Sequence, residues 1–421
     1  MKKRLFPACV LALVAALAAL TAATTASGAA AGSLTVVGPW TGASEQSFRA
    51  VLDNFQQRNP GVTVTYTGAA DVPAAVRGTA STADVAVLSL PTDLDEMRAM
   101  AADGTIAPIE FAVPAVKANY AFTWKTLGSV DGKLYGVFLK ATNRSAFWYD
   151  LRRFQNNGLQ PPTSWAGLQK LSDTLLARGL KPFAVSGSSG ITLPDLFANV
   201  YLMLRGNRSY DALSRGAIRW TDPSVRDVLR AMRGVLANPD RIAGGLESLR
   251  TDYRSAVQKV FGSPQRAGMV AGGSAVLPVL YTAKAARPIQ QFGAFPFPTA
   301  DGKAPSRVIG EGDAAVMVKD SPEARALVSF LATPAAATIW AKRGGDYLSP
   351  NRAVDLDAYA TPAMRTLATA LTRASVFRFG IAEAKPAAFT SVLNRMLIDY
   401  IRHPAQVSRI TAQIDAAAPK A

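Results

Sequence analysis

Apolar positions along the first third of the chain follow two periods in turn. Leu34-Thr35-Val36-Val37 is a short run of buried-strand type, closed by the turn Gly38-Pro39-Trp40-Thr41-Gly42. From about Ser44 to Arg58 the period becomes helical. Phe48, Val51, Leu52 and Phe55 recur three and four apart, Ser44 is placed to cap, and Glu45 suits the positive end of the helix dipole. Asn59-Pro60-Gly61 stops the helix, and Val62–Tyr66 alternates as a second strand. A β-α-β unit of this kind implies a parallel sheet. Asp84–Leu88 reads as a third strand ending at Ser89-Leu90-Pro91, with a helix over Asp93–Asp103. Ligands of open α/β sheets bind outside the carboxyl ends of the strands, which nominates Trp40, Thr41 and Ser89.

The stretch Val130–Asp150 organises the rest. A polar turn, Asp131-Gly132-Lys133, leads into a strand-like run from Leu134 to Leu139. A polar break at Thr142-Asn143-Arg144 precedes a second apolar run, Ala146–Tyr149. Here the chain is expected to leave one α/β lobe for another, with a ligand cleft beside the crossing. Beyond it, Leu168, Leu171, Leu175 and Leu176 mark a helix capped by Thr163 or Ser164. Strands are predicted at Pro182–Ser186 and Arg266–Ala271, and Gly272-Gly273-Ser274 opens a helix to Leu280. Phe292–Pro298 reads as a crossing back and Tyr347–Ser349 as a third passage. The expected division is 34–141 with 286–347 as lobe 1, and 142–285 with 348–421 as lobe 2.

Composition narrows the chemistry. Residues 1–31 read as a signal peptide: Lys2, Lys3 and Arg4, an apolar run Leu5–Leu20 short for a membrane span, then small residues with an Ala29-Ala30-Ala31 option. Export to a periplasmic or cell-surface location follows. Cys9 lies at the front of the apolar run, so the mature chain would hold no cysteine, and its one histidine is His403. Catalytic triads with histidine, thiol nucleophiles and multi-histidine zinc sites are set aside; carboxylate-based hydrolysis is not. The net charge of +16 becomes +13 without Lys2, Lys3 and Arg4. Its scatter at helical spacing, as at Arg226, Arg230 and Arg233, fits a solvated basic surface better than nucleic-acid binding.

The chain also resembles the extracellular solute-binding proteins of bacterial ABC importers, in their carbohydrate-binding branch. The stretches that carry the likeness stand in the family's order: GPWTG with Glu45, RNPGVTVTY, ADVAVLSLP, VDGKLYGV, WYDLRRF, NNGLQPPTSWAGL, RAGMVAGGS, GAFPFP, GEGDAAVM and SFLATPAAATIWAKRGGDYLSPNRAV. Trp340 through Asp355 to Phe379 most resembles the α-glucoside-type members. The resemblance implies a periplasmic-binding-protein type II-like fold, with two discontinuous α/β lobes joined by hinge strands that close on a ligand. It implies no catalytic residues, no cofactor and no metal. It also implies a sugar or oligosaccharide as ligand and a pair of membrane permease subunits as partner, with the protein itself a monomer.

A sugar site needs aromatic faces and polar groups for hydroxyl pairs. Trp40 stacks on a ring or packs; Thr41 and Glu45 lie next to it, and Glu45 accepts hydroxyls or serves only its helix. Ser89 and Asn143 stand at a strand end and at the first crossing. Gly273 and Ser274 open a helix, and Asp195 faces the cleft or caps its own helix. Glu311 and Asp313 flank Gly312 as an acidic rim or a solvated bulge. Arg378 resembles the arginine of the family's FRF-type stretch, though Gly380-Ile381-Ala382-Glu383 stands where an acidic residue follows in the family. Two other readings stay open: a binder of an anionic or other polar solute, and a secreted glycoside hydrolase.

Overall fold

The strand-forming runs divide between two main sheets. The computed structural model describes residues 32–282, 291–303, 306–383 and 385–419; the segment read as a signal peptide, 1–31, lies outside the described residues. In chain order the strands are β1 (Gly32–Gly38), β2 (Val62–Gly68), β3 (Val85–Leu90), β4 (Ser129–Val130), β5 (Lys133–Leu134), β6 (Gly136–Ala141), β7 (Ala146–Asp150), β8 (Lys181–Ala184), β9 (Ala267–Ala271), β10 (Phe292–Pro296), β11 (Arg307–Gly310), β12 (Gly312–Met317) and β13 (Val376–Phe379). The first sheet runs β2-β1-β3-β12-β6, the second β10-β7-β9-β8. β1, β2 and β3 are parallel, whereas β12 is antiparallel to both β3 and β6. Ala141 ends a strand of the first sheet and Ala146 begins one of the second, so the four residues Thr142–Ser145 carry the chain between lobes.

Helices follow the apolar periods closely. Gly42–Arg58 buries Phe48, Val51, Leu52 and Phe55, and it begins before Ser44, with Thr41 at the N-cap position. Ser164 caps Trp165–Ala177 by accepting from Gly167 N at 3.0 Å. The helix that carries Asp195 spans Thr192–Ser214 and kinks at Gly206 (φ 74°), a left-handed value that suits glycine. Two core clusters form; the first covers the first sheet and continues through Trp148, Phe261, Val270 and Phe292 onto the second, and the other belongs to the second lobe. The first is centred on Phe48, Phe55, Trp124, Phe138 and Trp340, the second on Phe147, Phe197, Tyr201, Trp220 and Phe389. Large side chains buried this fully contribute roughly 1.5–3 kcal/mol each. Among the described residues no single helix is long and apolar enough to cross a membrane.

The expected boundary at residue 286 lies outside the described residues. Phe292–Pro296 pairs antiparallel with β7, where Gly293 faces Tyr149. A Cβ on Gly293 would stand 2.4 Å from the Tyr149 ring, so glycine permits the pairing. The chain then passes through β11, paired parallel with β13, and enters the first sheet at Gly312. The stretch Gly310-Glu311-Gly312 is the junction between the two strands: Gly310 packs on Thr142, where a Cβ would lie 2.2 Å from the carbonyl oxygen. The boundary at 348 is gradual. Leu348 bridges Ala141, Asn351 Nδ2 donates to Ala332 O at 3.1 Å, and Arg352 reaches Tyr120 O, all in the first lobe. Ala387–Arg402 and Val407–Ala417 join the core of the second.

Candidate functional site

Sheet register builds the first wall of the site. Asp313 on β12 stands opposite Ser89 on β3 and Lys140 on β6, one row across three strands far apart in sequence. Ser89 Oγ donates to Asp313 Oδ1 at 3.0 Å, and Trp40 Nε1 donates to Asp313 Oδ2 at 3.0 Å. Trp40 is held in turn. Its backbone N donates to Tyr66 Oη (2.9 Å), and Tyr66 Oη donates to Trp40 O (3.0 Å). Its ring sits edge-on to Phe48 and Trp340, with centroids 4.7 and 4.6 Å away. Burial raises the Asp313 carboxyl above the ordinary range, against the pull of Lys140 and of its two donors. Lys140 Nζ meets Asp346 at 3.1 Å.

The second wall is an ionic cluster at the first crossing. Arg144 meets Glu311 at 2.5 Å, Asp195 at 3.5 Å and Glu383 in close contact. These carboxylates come from the β11–β12 junction, from the first turn of Thr192–Ser214, and from the loop after β13. Burial works against the Arg144 charge, but the three carboxylates outweigh it and hold the guanidinium above its ordinary value. Burial pushes the Asp195 and Glu311 carboxyls up, opposed chiefly by Arg144. Such a cluster leaves each carboxylate further acceptor capacity for a bound hydroxyl.

Between the walls lies a cavity of about 350 Å³, lined among others by Lys140, Arg144, Asp195, Asn199, Tyr253 and Phe297. Gly273, Ser274, Glu311 and Asp313 also line it. Ser274 is fully buried, and its Oγ has no hydrogen-bond partner among the described residues. A Cβ on Gly273 would lie 2.3 Å from Asn143 O, so glycine lets these two segments meet. The following helix, Val276–Thr282, is short.

Of the residues nominated from sequence, the fold thus gathers Asp195, Gly273, Ser274, Glu311 and Asp313 around the cavity, with Ser89 and Trp40 behind Asp313. Four lie elsewhere. Thr41 is exposed at its helix start, and Glu45 pairs with Arg49 at 2.8 Å. Asn143 is fully buried, donating to Leu367 O (3.2 Å) and accepting from Ser145 N (3.0 Å), so its amide secures the crossing and points away from the cleft. Arg378 forms a two-pronged pair with Asp211 at 2.5 and 2.9 Å, away from the cavity lining. Lys140, Arg144, Tyr253 and Asp346 were not nominated. Arg144 carried a signal, a charge in the polar break of a crossing. Asp346, in a Gly-Gly-Asp loop, carried none.

Two sheet-centred lobes, linked by crossing strands and enclosing a cavity lined by hydrogen-bonding groups from both, define a two-lobe ligand-binding protein. Residues 40–338 match the bacterial extracellular solute-binding protein family, and the chain belongs to that family. It is 26% identical over 370 residues to the alpha-glucosides-binding periplasmic protein AglE of Rhizobium meliloti (strain 1021), covering 84% of this chain and 80% of that protein. It is 26% identical over 380 residues to the osmoprotective compounds-binding protein GgtB of Synechocystis sp., covering 87% and 88%. In fold it is similar to the bacterial solute receptor AcbH, with a TM-score of 0.76 at 18% identity, covering 92% of this chain and 98% of that one.

Proposed function

We propose that the protein captures a neutral sugar or short oligosaccharide in this cavity and delivers it to the permease subunits of an ABC importer. The observation that carries the reading is the acceptor-rich lining shared by both lobes: Asp195, Glu311, Asp313 and Asp346 against Lys140 and Arg144. Carboxylates accept from hydroxyl pairs, and the aromatic rings of Tyr253 and Phe297 supply apolar surface. The volume lies within the range of small-molecule pockets, about 300–1,000 Å³. The sugar-binding relative supports the same ligand class. The lining is acidic although the chain is strongly basic, which counts against an anionic solute. We read the protein as an exported, monomeric binding protein that performs no chemistry on its ligand.

A thermal-shift screen of neutral sugars, α-glucosides, sugar phosphates and organic acids tests this. A ligand that binds the native state at a hundredfold its Kd stabilises it by about 2.7 kcal/mol. Neutral sugars are expected to raise the melting temperature and to be recovered intact. Stabilisation by acids alone, or release of a cleaved sugar, would overturn the reading.

A further inference from the structure

The basic charge of the chain is not shared between the lobes. Residues 32–141 carry eight basic and ten acidic side chains and 306–360 carry six and seven, a net −3 around the first sheet. Residues 142–282 carry eighteen and nine, and 361–421 carry eight and three, a net +14 for the second lobe and its closing helices.

Part of that excess gathers on one outer face. The helix Pro223–Val235 buries Val225, Val228, Leu229 and Met232, and Arg226, Arg230 and Arg233 line its flank at spacings of four and three, Arg230 exposed and the other two half-buried. Arg233 Nε donates to Ile401 O at 3.5 Å, which places the end of Ala387–Arg402, and so Arg402, beside it. From the other flank Arg205 reaches Asp227 at 2.5 Å, and Arg230 meets the same carboxylate at 2.7 Å. Asp222, the cap of the helix, is the other acid facing Arg205 and Arg226. Next along the Thr192–Ser214 helix, Leu204 is an exposed apolar side chain. Arg205, Arg226 and Arg230 therefore share two carboxylates, with Arg233 and Arg402 next to them and an exposed leucine at the edge.

We propose that this face of the second lobe rests on an anionic lipid bilayer. Guanidinium groups pair with phosphate through two parallel donors and are weakly hydrated, and basic residues near an anionic leaflet are each attracted to it. The net negative first lobe would be turned away and left free to move over its partner. The proposal does not depend on which solute the cavity takes.

The test is co-sedimentation with vesicles of phosphatidylcholine alone and of phosphatidylcholine with an equal part of phosphatidylglycerol. The full chain is expected to bind the anionic vesicles and to be released on going from 0.1 M to 1 M salt, as the Debye length falls from about 10 to about 3 Å. Replacing Arg226, Arg230, Arg233 and Arg402 by Gln should weaken binding at least tenfold. Replacing the same four by Lys should largely keep it, and so should Gln at Arg58, Arg98, Lys117 and Lys133 of the first lobe. The apolar run Leu5–Leu20 is common to all these chains, so differences between them report on the arginines. Equal binding to both vesicles, an equal loss in the first-lobe control, or binding only to membranes that contain a permease would overturn the proposal.

Discussion

The two walls of the cavity use opposite means to hold a carboxylate. Asp313 is clamped by neutral donors, Trp40 Nε1 and Ser89 Oγ, borne on strands and a turn of one lobe. Asp195 and Glu311 are held by a charge, Arg144, at the junction of both lobes. The indole N–H of Trp40 has a fixed direction, and with Ser89 Oγ on the neighbouring strand it keeps the acceptor in one place. A guanidinium has five donors to distribute among three carboxylates, so its bonds can be reassigned as a ligand enters or the lobes turn. The first wall is a preset anchor and the second is an exchangeable one. That division suits a site that must keep its register on one lobe while the other closes.

The largest effect is expected from breaking the second wall. Arg144→Met leaves three clustered carboxylates without their cation and should lower unfolding stability by about 3–5 kcal/mol at neutral pH, read by urea denaturation. A loss below 1 kcal/mol would remove the contrast between the walls. Asp313→Ala should act mainly on binding. It removes the anchor and leaves two buried donors unmet, with an expected loss of about 1.5–3 kcal/mol in ligand affinity by calorimetry. Trp40→Phe keeps much of the ring contact with Phe48 and Trp340 but removes one donor, and should cost about 1 kcal/mol in affinity.

The pH dependence sharpens the same comparison. Burial raises Asp195 and Glu311 on folding. A raised carboxyl contributes stability that is full below its unfolded pKa, about 4, and is lost as pH rises toward its folded value. Their contribution should therefore decline from about pH 4 upward through neutrality. Asp195→Asn should flatten the urea midpoint across that interval; a steeper slope in the variant would contradict the assignment. The smallest effect is expected at Arg378, outside both walls. Arg378→Ala should leave ligand affinity within about twofold and cost about 1 kcal/mol or less of stability through its partly exposed pair with Asp211.

Local chemistry made much of this molecule legible. The periods of Leu34–Val37, Ser44–Arg58 and Val62–Tyr66 specified a β-α-β unit, because burial of one face imposes its spacing on the residues that make it. The polar break at Thr142-Asn143-Arg144 marked a crossing, because a run of apolar strand residues cannot change sheets without exposing backbone that polar side chains must satisfy. Which of the three residues faces the cavity was a different matter. Asn143 turns into the crossing toward Leu367 and Arg144 turns into the cleft, and both satisfy the same local pattern.

Sequence also placed Ser89 at the end of its strand and Asp313 beside a glycine, but not the contact between them. Their meeting depends on strand register across 224 positions, which is set by the packing of a whole sheet. The same limit explains β10, whose apolar residues suit either sheet until Gly293 meets Tyr149. The chain by itself therefore determined its elements and its export-type leader pattern, since these rest on neighbours in sequence. Only the tertiary structure decided which carboxylates share Arg144, and that the cavity is acidic in a basic protein, since charges act through space.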